Sequence, residues 1–431
     1  MVMVTIGKTC FLCGEVQAPA SKSYTQRMVI SSALSDGTSK VVNPLFSEDT
    51  EAALRAVTAL GAKVEAGDEY WTITSSAQLE APSQPIDCGE SGATLRFMVP
   101  VAALAEDVST LLFHGSIGRR PIEPLLNSLH DLGAEAFVGK HNGVDAVFVQ
   151  GGGIAGGKTE IAGDVSSQFI SGLMFACPLA KADTEIALTS ELESADYVKM
   201  TQAVLAQHGV QVTIEEKRLL IRGNQHYKPA DATVPGDFSS AAFLLAGAAV
   251  TKSKVAVGNL DYGTVQGDKA IVEILKDMGA KVTITGECVE VEGTGELLKP
   301  FDVDAKNIPD LVPVLAALAC YTDGISQIIG AKRLRLKESD RLASTNSELS
   351  KMGANIAITE DGLTIRGTKL HGAAINPHKD HRIAMAAAVA ALGAEGETTI
   401  TYAECIRKSY PQFFHHLKQL GAEVIGGKLY R

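Results

Sequence analysis

Hydrophobic and polar positions along the chain follow one pattern written six times. An amphipathic stretch ends at a glycine in TALGAKV (58–64), HDLGAEA (130–136), AQHGVQV (206–212), KDMGAKV (276–282), SKMGANI (350–356) and KQLGAEV (418–424). These glycines, at 61, 133, 209, 279, 353 and 421, stand 68 to 76 residues apart, so six units fill the chain. Each marks a helix end, because glycine enters the left-handed conformation that closes a helix without a Cβ clash. Upstream, DKAIVEILKDMGA (268–280) sets Ile271, Ile274, Leu275 and Met278 on one helical face. Downstream, the alternation in AKVTITGECVEVEG (280–293) and ANIAITEDGLTIRG (354–367) predicts hairpins.

Between hairpin and amphipathic helix each unit holds a second helix, apolar nearly all round: MVISSALS (28–35), LRFMVPVAALA (95–105), FISGLMFACPLA (169–180), AAFLLAGAAV (241–250), LVPVLAALAC (311–320) and IAMAAAVAAL (383–392). A helix without a polar face must be enclosed by other structure. Each unit therefore reads as βαβαββ, with one buried and one amphipathic helix packed on sheets. At 431 residues the α/β chain exceeds one ordinary core, and two large domains with a cleft are expected.

The buried helices open at SKS (21–23), GESGA (89–93), SSQ (166–168), GDFSS (236–240), IPD (308–310) and DHR (380–382). Ser, Asp and Gly there are N-caps worth about 1 kcal/mol each. Capping needs an acceptor oxygen, so it leaves Lys22, Arg27, Arg96, Gln168, His381 and Arg382 unexplained. Donors at the positive end of a helix suit a bound anion.

Charge sharpens this picture. The chain carries 39 Lys+Arg against 50 Asp+Glu, a net charge of −11, yet KRLRLKESDRL (332–342) gathers five cations and two carboxylates. Alone, that run could be a solvated turn of weak ion pairs. RRP (119–121), RKS (407–409), DHR and SKSYTQR (21–27) occupy corresponding unit positions, and together they predict a site for a ligand with several negative charges. Carboxylates among such cations repel the ligand, which makes Glu338 and Asp310 acid/base candidates.

Other chemistries recede. The acidic balance argues against a large nucleic-acid footprint. Apolar runs fall short of the roughly 20 residues that span a bilayer, and MVMVTIGKTC lacks a basic-then-apolar leader, so a cytoplasmic protein with no membrane partner is expected. Of seven cysteines only Cys10 and Cys13 are close, with no second pair to complete a zinc site, and they read as two small apolar residues in a strand. GGIAGGKT (152–159) spells a phosphate-binding loop, but that loop requires a long helix directly after Lys-Thr, which Gly163 and a β-like TEIA exclude. Its glycines read as a flexible connection.

The ordered run ASKSYTQR (20–27), CGESGATLRF (88–97), RRPIEPL (119–125), DVSSQFISGL (164–173), PGDFSSAAF (235–243), NIPDL (307–311), LKESDRL (336–342), DHRIAM (380–385) and RKSYPQFF (407–414) resembles the enolpyruvyl transferases over essentially the whole chain, and their shikimate branch most closely. The resemblance implies a two-domain inside-out α/β barrel of six βαβαββ repeats, three per domain. One domain would cover 21–232 and the other 1–20 with 233–431, the active site lying in the cleft between. The implied reaction moves a carboxyvinyl group from phosphoenolpyruvate to the 5-hydroxyl of shikimate 3-phosphate and releases phosphate.

By the same resemblance, Lys22, Ser23, Arg27, Ser166, Ser167, Gln168, Ser194, Asp310 and Lys337 would hold shikimate 3-phosphate. Lys22, Gly92, Arg120, Gln168, Arg341, Arg382 and Lys408 would hold phosphoenolpyruvate. Asp310 resembles the family's acceptor of the hydroxyl proton. Glu338 resembles the group that gives a proton to the methylene carbon and later removes one, with Lys22 assisting. Neither metal nor organic cofactor is implied, and a monomer is expected. Glu90 and Arg333 depart from asparagines common in the family, and Gly92 keeps the small residue that leaves room for the inhibitor glyphosate. The sister enzymes acting on UDP-N-acetylglucosamine carry a cysteine in the loop before Arg-Pro, which HGSIGRRP (114–121) lacks. A non-catalytic repeat protein that senses phosphometabolites is the alternative of another class.

Overall fold

A computed structural model describes residues 1–294 and 297–426. Among these, twelve α-helices run in chain order: α1 (Lys22–Ala33), α2 (Glu48–Ala59), α3 (Gly92–Ala102), α4 (Glu123–Asp131), α5 (Ser167–Ala176), α6 (Ala195–Gln207), α7 (Phe238–Val250), α8 (Ala270–Asp277), α9 (Val312–Ala319), α10 (Arg341–Lys351), α11 (His381–Gly393) and α12 (Phe413–Gln419). The odd-numbered helices are the apolar ones. Every residue of α7 is buried, as is every residue of α11 up to Leu392. The even-numbered helices bury one face only, as α4 does with Leu125, Leu126 and Leu129. The six repeat glycines all have positive φ, between 77° and 102°, directly after the even helices.

Six four-stranded sheets carry these helices. In the third repeat, Gly157–Ile161 lies parallel to Thr184–Leu188 across the α5 crossover, and Thr184–Leu188 pairs antiparallel with Arg218–Ile221. Val212–Ile214 closes the hairpin. This is the βαβαββ unit that the sequence predicts, and the architecture is the expected α/β fold of six repeats.

Two of the sheets borrow from the N-terminus. Val4–Ile6 lies between Thr398–Ile400 and Val424–Ile425, and Cys13–Gln17 pairs parallel with Lys254–Gly258. The strand that lies parallel to Asp36–Val42, which follows α1, is not Cys13–Gln17 but Ala232–Thr233, some 200 residues on. Contacts accordingly gather into two compact units, Met1–Ala20 with Pro235–Arg431, and Ser21–Val234.

Two expectations need correction. Cys10 and Cys13 are both exposed, and only Cys13 belongs to a strand. The glycine run at 152–157 is not a flexible connection. The Gly152 and Gly153 amides donate to the Ala105 and Ala103 carbonyls at 2.7 and 2.9 Å, and Gly157 donates to Asp183 at 2.8 Å. Lys158 and Thr159 then lie within the strand Gly157–Ile161, which leaves no helix start to cradle a phosphate.

Candidate active site

In the unit Ser21–Val234, serine caps set the helix starts. Ser21, Ser91 and Ser166 each accept from a backbone N–H of α1, α3 and α5. The donors that capping left unexplained stand beside them. Lys22 pairs with Asp49, at the start of α2, at 3.0 Å. Arg27, one turn further along α1 and 2% exposed, donates to Thr201 Oγ1 (2.8 Å), the Ser23 carbonyl (2.9 Å) and the Tyr197 carbonyl (3.2 Å), and its guanidinium faces the Phe97 ring at 5.0 Å. Among the described residues no carboxylate pairs with it. Burial pushes it down to about 10, against small opposing effects of Tyr197 and Tyr24. A buried cation without a counter-ion is a place prepared for an anion.

The starts of α3 and α5 meet nearby. Arg96 donates to Gln168 Oε1 at 2.7 Å, which fixes that amide with its oxygen on the guanidinium. Arg120 is steadied by Ser116 Oγ at 3.0 Å, and a Cβ added at Gly92 would stand 3.1 Å from Arg120 Nη1. Ser167 is buried in the first turn of α5, and Ser194 is buried at φ 53° just before α6, the helix whose first turn contacts Arg27.

In the other unit a single guanidinium organises the site. Arg341, 1% exposed at the first position of α10, donates to Asp310 Oδ1 (2.6 Å), Glu338 Oε2 (2.8 Å) and Asp380 Oδ2 (2.9 Å). Burial opposes its charge, but the three carboxylates outweigh burial and raise its affinity for the proton. Arg382, in the first turn of α11, takes the other Asp310 oxygen at 3.1 Å and donates to the Ser239 carbonyl at 3.1 Å. Asp380 is at once the cap of α11, accepting from the Arg382 amide at 3.0 Å, and the acceptor of Ser339 Oγ at 3.1 Å. Lys337 is pushed down to about 8, by burial first and by Arg333 and Arg341, against the pull of Asp310 and Glu338. Lys408 is buried at the end of a 3-10 turn, Ala403–Lys408, that packs on α11.

Direct bonds therefore join Asp310, Glu338, Arg341 and Arg382 in one unit. In the other, Gly92, Arg120 and Gln168 share one neighbourhood, with Lys22, Ser23 and Arg27 on α1. The cations are less naked than their clustering in sequence suggests, since Arg341 and Lys22 already hold carboxylates. Asp380 was missed because an acid at a helix start reads as a plain cap, and Asp49, in the first turn of α2 behind its Ser47 cap, offers no local signal. Arg333, where the family commonly has asparagine, is buried and donates to the Lys306 carbonyl at 2.5 Å, while Glu90 is exposed.

Comparison with known proteins bears on this site. A sequence model of the family described as EPSP synthase (3-phosphoshikimate 1-carboxyvinyltransferase) matches residues 7–417. A 3-phosphoshikimate 1-carboxyvinyltransferase of Methanocaldococcus jannaschii is 42% identical over 428 residues, covering 98% of this chain and 99% of the other. That of Methanococcoides burtonii is 42% identical over 426 residues, with the same coverage. Among solved structures, an EPSP synthase from Acinetobacter baumannii superposes with a TM-score of 0.82 at 27% identity, over 99% of this chain and 100% of that one. The enolpyruvyl transferase NikO from Streptomyces tendae reaches a TM-score of 0.81 over 99% of this chain and 98% of its own, and at 18% identity it speaks to the fold alone.

Proposed function

The chain belongs to the EPSP synthase (3-phosphoshikimate 1-carboxyvinyltransferase) family, and from that premise we propose how its two clusters divide the transfer of an enolpyruvyl group from phosphoenolpyruvate to the 5-hydroxyl of shikimate 3-phosphate in aromatic amino acid biosynthesis. Family membership favours this reaction over the one on UDP-N-acetylglucosamine and over a non-catalytic sensor. The observation that carries the assignment of roles is the Arg341 web, which brings two carboxylates and two guanidinium groups to adjoining helix starts.

Chemistry asks for an acid and a base in separate places. The 5-hydroxyl oxygen attacks C2 of phosphoenolpyruvate, and its proton passes to Asp310. The methylene carbon C3 takes a proton from Glu338, giving a tetrahedral adduct with a methyl group. Glu338 then removes a proton from that methyl, the double bond re-forms, and the bond from C2 to the phosphate oxygen breaks, the departing phosphate carrying off the proton that Asp310 had accepted. Lys22, released from Asp49, assists beside the reacting carbons.

Without substrate, Glu338 and Asp310 are held by Arg341. An anion that takes over Arg341 strips Glu338 of its cation and sets a negative charge beside it, and both changes favour the protonated acid that the first step requires. Asp310 keeps the field of Lys337, which favours the ionised base. Ser23, Ser166, Ser167, Gln168 and Ser194, with Arg27 as counter-ion, receive shikimate 3-phosphate. Arg120, Arg341, Arg382 and Lys408 receive phosphoenolpyruvate over the bare Gly92. Once engaged by the substrates, donors held at buried helix starts stabilise the charge that develops. We place the enzyme in the cytoplasm as a monomer, a state that light scattering checks.

Turnover in deuterium oxide tests the central role. Deuterium should enter C3 of product and recovered substrate, and Glu338→Gln should lower that incorporation and kcat by about 100-fold or more while KM for shikimate 3-phosphate stays within a few-fold. Equal losses in kcat and affinity would reassign Glu338 to binding.

A further inference from the structure

Asp268 has no part in the scheme above, yet it is built into the same cluster. It lies in the 3-10 turn Gly267–Lys269 that leads into α8, and it is 3% exposed. Its Oδ2 accepts a hydrogen bond from Ser239 Oγ, and the Ser239 carbonyl is the acceptor of Arg382 Nη1. Its Oδ1 has no hydrogen-bond partner among the described residues. The turn is pinned, because Gln266 accepts from the Phe238 amide at 3.0 Å and donates to the Gly236 carbonyl at 2.8 Å.

We propose that Asp268 is a positioning residue for phosphoenolpyruvate capture, a carboxyl behind Arg382 that must carry a proton for the anion to be taken up, so that binding is linked to proton uptake. The inference rests on the assignment of Arg382 to phosphoenolpyruvate. A buried carboxylate oxygen without a donor is costly, and protonation lowers the cost by removing the buried charge. The charged groups around it pull in both directions, and the acids with burial prevail. Asp310, from the turn Pro309–Leu311, and Asp237, from the cap of α7, both disfavour its ionisation, and only Arg382 and the Ser239 hydroxyl favour it. Lys269, on its own turn, is committed to the carbonyls of Tyr262 and Thr264 at 3.1 and 2.6 Å. Burial first, then Asp310, pushes the Asp268 carboxyl up to about 7. Once a substrate anion occupies Arg382, the chief group favouring ionisation is neutralised and the proton is held more tightly.

The pH dependence of kcat/KM for phosphoenolpyruvate, at saturating shikimate 3-phosphate, tests this. The wild-type profile should fall above a midpoint near the Asp268 value of about 7, and Asp268→Asn, which keeps the acceptor for Ser239 but cannot ionise, should abolish that fall. The ratio of variant to wild type then rises about ten-fold between pH 6 and pH 8. A constant ratio would overturn the proposal, as lost packing lowers a rate without a pH signature. Ser239→Ala gives an independent reading: loss of the donor should move the fall to higher pH, and an unmoved midpoint counts against the proposal. Arg382→Gln separates the premise from the inference. If it leaves KM for phosphoenolpyruvate unchanged, the assignment of Arg382 fails; if it raises KM while Asp268→Asn follows the wild-type profile, the Asp268 inference alone fails.

Discussion

A single methyl group at position 92 tests how tightly the anion site is drawn. Gly92→Ala places carbon 3.1 Å from Arg120 Nη1, closer than ordinary contact, and the flexible Arg120 side chain can yield where backbone could not. Folding should survive within about 0.5 kcal/mol, while KM for phosphoenolpyruvate rises about ten-fold and KM for shikimate 3-phosphate changes little. Steady-state kinetics with each substrate varied checks this, and an unchanged KM for phosphoenolpyruvate would remove Arg120 from its site. At this scale the sequence was informative about cations and poor on their partners. Arg341 and Arg382 stand out as donors at helix starts, but nothing local says that Asp380, 39 residues on, binds both Arg341 and the Arg382 amide. Long-range pairing follows from repeat packing, which a stretch of sequence does not display.

Helix starts show where capping ends and chemistry begins. Ser21, Ser91, Ser166, Asp237 and Asp380 cap their helices by the rule that the sequence invites. The start of α9 breaks it: Leu311 occupies the cap position, and Asp310 instead directs its two oxygens to Arg341 and Arg382. That departure from local preference marks the carboxyl proposed as the base. A cap with a surface ion pair and a cap that also holds a buried charge should differ in worth. Asp340→Ala removes a part-exposed cap of α10, bonded to the Ala343 amide at 3.0 Å, together with a surface pair to Arg335 at 3.5 Å, and should cost about 1–2 kcal/mol. Asp380→Ala removes a cap and also a fully buried partner of Arg341, and should cost about 3–5 kcal/mol. Urea unfolding compares the two, and equal losses would mean that the Arg341 web contributes nothing to stability.

Across the whole molecule the six-fold repeat was the most legible feature, because a buried helix must be apolar all round and a helix end in the left-handed conformation favours glycine. The exchange of strands at the N-terminus was less so, since Cys13–Gln17 and Ala232–Thr233 are both short and only register assigns their partners. That exchange has a consequence for folding. The unit Ser21–Val234 is one continuous segment with three complete sheets, so a fragment of residues 21–234 should fold alone, with cooperative unfolding and protected amides. Residues 235–431 without 1–20 lack the strand between Thr398–Ile400 and Val424–Ile425 and the strand beside Lys254–Gly258, and should show lost exchange protection in those two sheets first. All of the assigned chemistry presumes that residues of both units act on one pair of substrates. Phosphate released from phosphoenolpyruvate by the purified protein, followed with and without shikimate 3-phosphate, is the most direct measure of that. Release that requires shikimate 3-phosphate and disappears in both Arg27→Gln and Glu338→Gln, one variant from each unit, is the predicted result. Release that ignores shikimate 3-phosphate, or that persists unchanged in either variant, would contradict it.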